Sequence, residues 1–148
     1  MEQKTRSELR VQIMNILYQI SIYKIKNITY NVDDVIKENI EIDNEFVKEI
    51  VYGTVTYKNE LDNLANKYMK DWTIDRLGFT DIAILRMAIY ELIYSNTPDI
   101  VVINEAIELA KAYSDDKVVK LINGVLDKIY HEEVNKWIIK QSVNLQAI

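Results

Sequence analysis

Along most of the chain the apolar residues return every third or fourth position, the spacing of helices that bury one face. Thr5-Arg6-Ser7-Glu8 fits the capping-box pattern, in which Thr caps the first turn and Glu reaches back. A first helix is therefore predicted from about Thr5, with Leu9, Ile13, Ile16, Leu17 and Ile20 in one stripe that fades near Lys24. A short helix follows at about Val32 to Asn39, opened by Asn31. A longer one starts after Asp43 and carries Phe46, Ile50, Thr54, Tyr57, Leu61, Leu64 and Tyr68 on one side. Gly53 lies inside it; a mid-helix glycine costs about 1 kcal/mol relative to alanine, so another helix is expected to approach closely there.

The second half opens with Trp72 and a short turn at Thr73–Leu77, and Gly78 breaks the pattern. Thr80 is the expected cap of a helix with Ile82, Leu85, Ile89 and Leu92 on its apolar face. Pro98 ends the next connection, and a helix from about Val102 to Tyr113 carries Ile103, Ala106, Ile107 and Ala110. Ser114-Asp115-Asp116 caps a last helix holding Val118, Leu121, Ile122, Val125, Leu126 and Ile129. Val101-Val102-Ile103 is the best strand candidate, and it is too short and isolated to pair. The expected fold is all-α, with about seven helices in two small bundles, residues 1–70 and 71–131, followed by a weakly amphipathic tail at 132–148.

Composition removes several chemistries. There is no cysteine and one histidine, His131, which excludes disulfides, thiolate nucleophiles and multi-His metal sites. The three glycines are isolated, so no phosphate-cradling loop is present. Glu105 and Glu108 share one helical edge and could hold a metal or a proton, although a solvated face explains them more simply. His131 reads as a cation at a helix C-terminus. No catalytic group, metal or cofactor is expected. No apolar stretch approaches the ~20 residues of a membrane span, and no signal-peptide core is visible, so a cytoplasmic binding protein is the expectation.

The net charge of −5 argues against bulk attraction to nucleic acid, but it is an average. Residues 1–26 carry Lys4, Arg6, Arg10, Lys24 and Lys26 against Glu2 and Glu8, a local +3. Residues 31–45 carry six carboxylates against Lys37, a local −5. Arg6 and Arg10 continue the line of Ile13 and Leu17, so both guanidiniums are expected to project beyond the end of the core. A planar guanidinium suits phosphate and base edges.

Particular motifs go further. Residues 101–111 read Val-Val-Ile-Asn-Glu-Ala-Ile-Glu-Leu-Ala-Lys, and Asn123-Gly124-Val125-Leu126-Asp127 follows them. Ile84 to Leu92 contains Leu-Arg-x-Ala-x-Tyr-Glu-Leu spacing, Arg10 precedes Leu17-Tyr18, and Phe46 precedes Gly53. In these segments, over about residues 4–130, the chain resembles the NusB family of bacterial transcription antitermination factors. The resemblance implies a non-catalytic, two-subdomain helical protein. It implies binding to the boxA element of ribosomal RNA leaders together with the ribosomal protein NusE, in a complex with the elongating RNA polymerase and other Nus factors.

Carried over to this chain, the resemblance puts Lys4, Arg6 and Arg10 on RNA, with Ser7 and Glu8 standing where the family often has further basic residues. The segment before Asn123 also belongs to the RNA side. Leu121 replaces the family's aromatic residue there, while Lys117 and Lys120 add charge. Asp75 and Asp81 are the candidates for contact with NusE. Arg86 is expected to be held by a carboxylate, and Asn123-Gly124 to let a neighbouring helix pass. The alternatives are a helical protein-interaction scaffold, which could be a homodimer, or a stand-alone accessory module of the kind fused to RNA methyltransferases. On this reading, replacing Arg6 and Arg10 together by alanine weakens RNA binding and leaves the melting temperature unchanged.

Overall fold

A computed structural model describes residues 3–134. These residues form seven α-helices: α1 (Arg6–Ile25), α2 (Val32–Asn39), α3 (Glu45–Thr56), α4 (Lys58–Tyr68), α5 (Phe79–Tyr94), α6 (Asp99–Tyr113) and α7 (Asp116–Ile129). A 3-10 turn at Ile74–Arg76 precedes α5, and a π-helical turn at Tyr130–Val134 follows α7. No strand occurs among the described residues, and Val101–Ile103 lie within α6. None of the described helices is long and apolar enough to cross a membrane. The tail beyond residue 134, with Trp137, Ile138 and Ile139, lies outside the described residues.

The helix starts follow local chemistry. At α1 both halves of the capping box form: Thr5 Oγ1 accepts from the Glu8 N–H at 3.2 Å, and Glu8 Oε1 accepts from the Thr5 N–H at 3.1 Å. Asn31, Asn44 and Asp115 cap α2, α3 and α7 with their side-chain oxygens. Thr80, expected as a cap, is instead inside α5. That helix begins at Phe79 after Gly78, whose carbonyl accepts from the Ile82 N–H, and no side chain caps it. α6 begins earlier than the apolar spacing indicates, at Asp99, because the Pro98 carbonyl already accepts from the Val102 N–H.

The long helix expected across Phe46–Tyr68 is two, α3 and α4, bent at Tyr57. The i to i−4 bonds persist through the bend, from the Tyr57 N–H to Gly53 and from the Leu61 N–H to Tyr57. A continuous apolar stripe is therefore compatible with either shape. At the bend the Tyr57 ring stacks on Tyr94 of α5 at 4.5 Å between centroids.

The centre of the molecule is α5, which packs on α1, α3, α4, α6 and α7. From Ile82 to Leu92 every residue except Arg86 is buried, as expected of a helix that is apolar nearly all round. One cluster of buried side chains runs from Leu9 on α1 through α5 to Ile129 and Val134. Each fully buried Leu or Ile in it contributes roughly 1.5–3 kcal/mol.

Two glycines of similar appearance in the sequence have opposite surroundings. A Cβ on Gly53 would lie 2.1 Å from the Tyr90 ring, so the expected close approach occurs. A Cβ on Gly124 would meet nothing within 4 Å. Gly124 is exposed on α7, and the expectation that it makes room for a neighbouring helix is corrected. Gly53→Ala is expected to lower stability by about 1–3 kcal/mol through overpacking against a ring that is itself stacked, despite the better helix propensity of alanine. Gly124→Ala is expected to raise stability by about 0.5–1 kcal/mol. Urea denaturation of both variants checks the pair, and a Gly53→Ala protein as stable as the parent contradicts the packing account.

Candidate nucleic-acid interface

The basic end of α1 is held by a pair of opposite charges inside the molecule. Arg10 is 3% exposed and Glu91, on α5, is 2% exposed. Arg10 donates through Nε and Nη2 to the two carboxylate oxygens of Glu91, both at 2.8 Å. Burial would pull the guanidinium down, but the bonds to Glu91 and its charge overcome this and hold Arg10 above its ordinary value. Glu105 of α6 approaches Arg10 to 4.0 Å and accepts from Ser7 Oγ at 2.8 Å. Three helices, α1, α5 and α6, thus meet at one buried guanidinium.

This geometry corrects the expectation that both arginines project beyond the core. Arg10 lies on the buried face of α1 with Leu9, Ile13 and Leu17, and its fork is spent on Glu91. Arg6 does project. It is exposed, and its guanidinium carbon stands 4.5 Å from the centroid of Phe46 on α3. Arg10 lies 5.1 Å from the same ring, so one half-buried phenyl ring supports both guanidiniums. The sequence did contain a signal for Glu91: it is the one acid between Ile82 and Leu92, where the neighbours are apolar. Nothing in the spacing of Phe46 points to Arg6.

Lys4 is exposed before α1 and borders a cavity of ≈ 320 Å³ formed with Leu9, Gln12 and residues 40–44. Glu8 is occupied by its cap; bonds from the backbone and then the side chain of Thr5 hold its carboxyl below the usual value. Lys117 and Lys120 are exposed on the first turns of α7, and Leu121 is half-buried. They belong to the other end of α5. Ser114, just before α7, donates to Asp81 at 2.6 Å, and Asp81 stands ten residues before Glu91. At 1.5 Å per residue Asp81 and Glu91, which mark these two ends, are about 15 Å apart along the α5 axis.

The two candidates for a protein partner also differ in their surroundings. Asp81 is half-buried and bonded to Ser114. Asp75 is exposed, accepts from the Thr73 hydroxyl, and borders a cavity of ≈ 290 Å³ that Lys24, Lys58 and Arg86 also line. There the Lys24 amine is pushed below its usual value by burial first and by Lys58 and Arg86 next. Arg86 is held by a carboxylate as expected, donating to both oxygens of Asp62 at 2.7 and 2.9 Å. Glu105 and Glu108 take separate partners, Ser7 with Arg10 and Lys111. His131 lies 3.3 Å from Asp127. No group of three His, Cys, Asp or Glu residues is placed to hold a metal among the described residues.

The NusB family matches residues 7–131. The chain is 44% identical over 127 residues to the transcription antitermination protein NusB of Staphylococcus aureus strain JH9, covering 84% of this chain and 98% of that protein. In structure it is similar to NusB of T. maritima, with a TM-score of 0.77 and 28% identity over 90% of this chain and 95% of the other. It is also similar to a chain in the crystal structure of the antitermination factors NusB and NusE in complex with dsRNA, with a TM-score of 0.71 and 30% identity, covering 85% and 96% of the two chains. A third neighbour is the solution structure of NusB from Aquifex aeolicus, with a TM-score of 0.68 and 30% identity over 90% and 93%.

Removing one partner of a buried ion pair leaves the other charge unpaired. Arg10→Ala is therefore expected to destabilise the protein by about 3–5 kcal/mol, which overturns the unchanged melting temperature expected from the sequence. Arg10→Met combined with Glu91→Leu is expected to recover most of the loss. Thermal and urea unfolding of the three proteins check this, and a single variant as stable as the parent contradicts it.

Proposed function

Because the chain belongs to the NusB family, we propose that it is a transcription antitermination factor that binds boxA RNA together with the ribosomal protein NusE. In this role it joins the elongating RNA polymerase with other Nus factors, in the cytoplasm, and catalyses no reaction. The observation that carries the RNA reading is the exposed cationic end of α1, fixed in place by Arg10 and Glu91. The structure of NusB and NusE with dsRNA, which this chain resembles over 85% of its length, supports the choice of partners.

In this reading Lys4 and Arg6 contact RNA at one end of α5, and Lys117 and Lys120 contact it at the other. Arg10 contributes by holding α1 in place. A strand that reaches both ends crosses the molecule along α5, and Leu121 offers no ring on which a base can stack. Asp75 and Asp81 remain our candidates for NusE contact. Asp81 is the stronger one, since its bond to Ser114 orients it and Asp75 shares its cavity with three cations. We also read the chain as two helical units, 1–70 and 71–131, with α5 of the second forming much of the packing surface of the first.

Fluorescence anisotropy with boxA RNA, a scrambled RNA and added NusE tests the proposal; equal affinity for the two RNAs in the presence of NusE would overturn it. Arg6→Ala is expected to weaken RNA binding severalfold with little change in melting temperature, since the side chain is exposed. Lys117→Ala with Lys120→Ala is expected to reduce the slope of log affinity against log salt by roughly 1.4, two phosphate contacts at about 0.7 each for a single strand. An unchanged slope removes these lysines from the interface.

A further inference from the structure

We infer that Phe46 is a positioning residue for RNA binding, acting by stacking against the guanidinium of Arg6. The inference rests on the RNA-binding reading above. Arg6 is exposed on the first turn of α1 and has no carboxylate within 4.0 Å among the described residues. An arginine without an ion-pair partner on a first turn samples many rotamers, and ordering it on a ligand costs conformational entropy. The Phe46 ring, 4.5 Å from the Arg6 guanidinium carbon, reduces that freedom.

A guanidinium held over a ring, as Arg6 is at 4.5 Å over Phe46, spends none of its hydrogen bonds on a carboxylate, so a phosphate can accept two of its N–H groups. The ring does not compete for those hydrogen bonds, whereas a carboxylate partner would. The support is itself anchored. Phe46 is half-buried and packs against the core cluster, and the guanidinium of Arg10, locked on Glu91, lies 5.1 Å from the same ring. Phe46 sits on the first turn of α3 after the Asn44 cap, so its backbone is fixed by α3 and its ring by Arg10. The buried ion pair thereby sets the position of a residue that faces solvent, through a ring on a third helix.

The test is a double-substitution cycle read by anisotropy with boxA RNA and the ribosomal partner, with melting temperatures measured alongside. Phe46→Leu, which keeps an apolar side chain and removes the ring, is expected to weaken RNA binding about threefold to fivefold. Arg6→Lys, which keeps the charge and loses the planar face, is expected to lose a similar factor, and the double variant is expected to lose no more than either alone. Phe46→Tyr, which keeps the ring, is expected to return affinity to within about twofold of the parent. A Phe46→Leu protein that binds like the parent while Arg6→Ala binds weakly would overturn this inference and leave the RNA reading intact. Losses that multiply in the double variant overturn it as well. If Phe46→Leu does not fold, Arg6→Lys and Phe46→Tyr decide: parental affinity in the first, or a loss in the folded second as large as that of Arg6→Ala, overturns it. A parent protein that binds no RNA fails both readings.

Discussion

The rest of the structure depends on the ion pair between Arg10 and Glu91. Taking two charges out of water costs several kcal/mol for each, and only close geometry with further hydrogen bonds offsets it. Here the fork of Arg10 meets both oxygens of Glu91, and Glu105 approaches from a third helix. Such a pair adds little net stability over a well-packed apolar replacement. What it adds is register, since α1 can slide along α5 only by leaving a charge unpaired in the core. The same end of α1 carries Ser7, which donates to Glu105, and Arg6 over Phe46, while its first turn is set locally by the Thr5 and Glu8 cap.

An acidic protein can present basic groups locally where some of its acids are engaged and those bases are not. Glu91, Asp62, Glu8 and Glu133 are each tied to a cation, a helix cap or a hydroxyl. Lys4, Arg6, Lys117 and Lys120 are exposed with no carboxylate within 4.0 Å among the described residues. The net charge of −5 is thus a poor guide to what a ligand meets at close range, because charged contacts beyond roughly 10 Å are screened in physiological salt. The two basic clusters sit at opposite ends of α5, so the central apolar helix acts as the spacer between them.

The same helix explains why small features have large consequences. Between Ile82 and Leu92, α5 is buried at every residue but Arg86, so each neighbour must match its surface. Gly53 is the clearest case: the Tyr90 ring occupies the volume where any other residue would carry its side chain. Arg86 reaches outward to Asp62, which satisfies the one charge in the middle of the helix. The Tyr57, Tyr90 and Tyr94 rings stack where α3 bends into α4.

Much of the architecture was legible in the chain by itself. Helical periodicity and the cap residues Thr5, Asn31 and Asp115 determined the all-α class and several helix starts, because both signals act within a turn or two of backbone. The family motifs pointed to the functional class. Periodicity could not tell one bent helix from a straight one at Tyr57, since the backbone bonds run through the bend. It also could not distinguish Gly53 from Gly124, or Arg6 from Arg10. A position on a helix face says which direction a side chain takes, but not what stands in that direction. Glu91 is 81 residues from Arg10 and Tyr90 is 37 from Gly53, and only the packing of α5 against α1 and α3 brings them together. Tertiary structure therefore decided which arginine is an anchor and which stays exposed, because a charge inside the core must find its partner there and a charge at the surface need not.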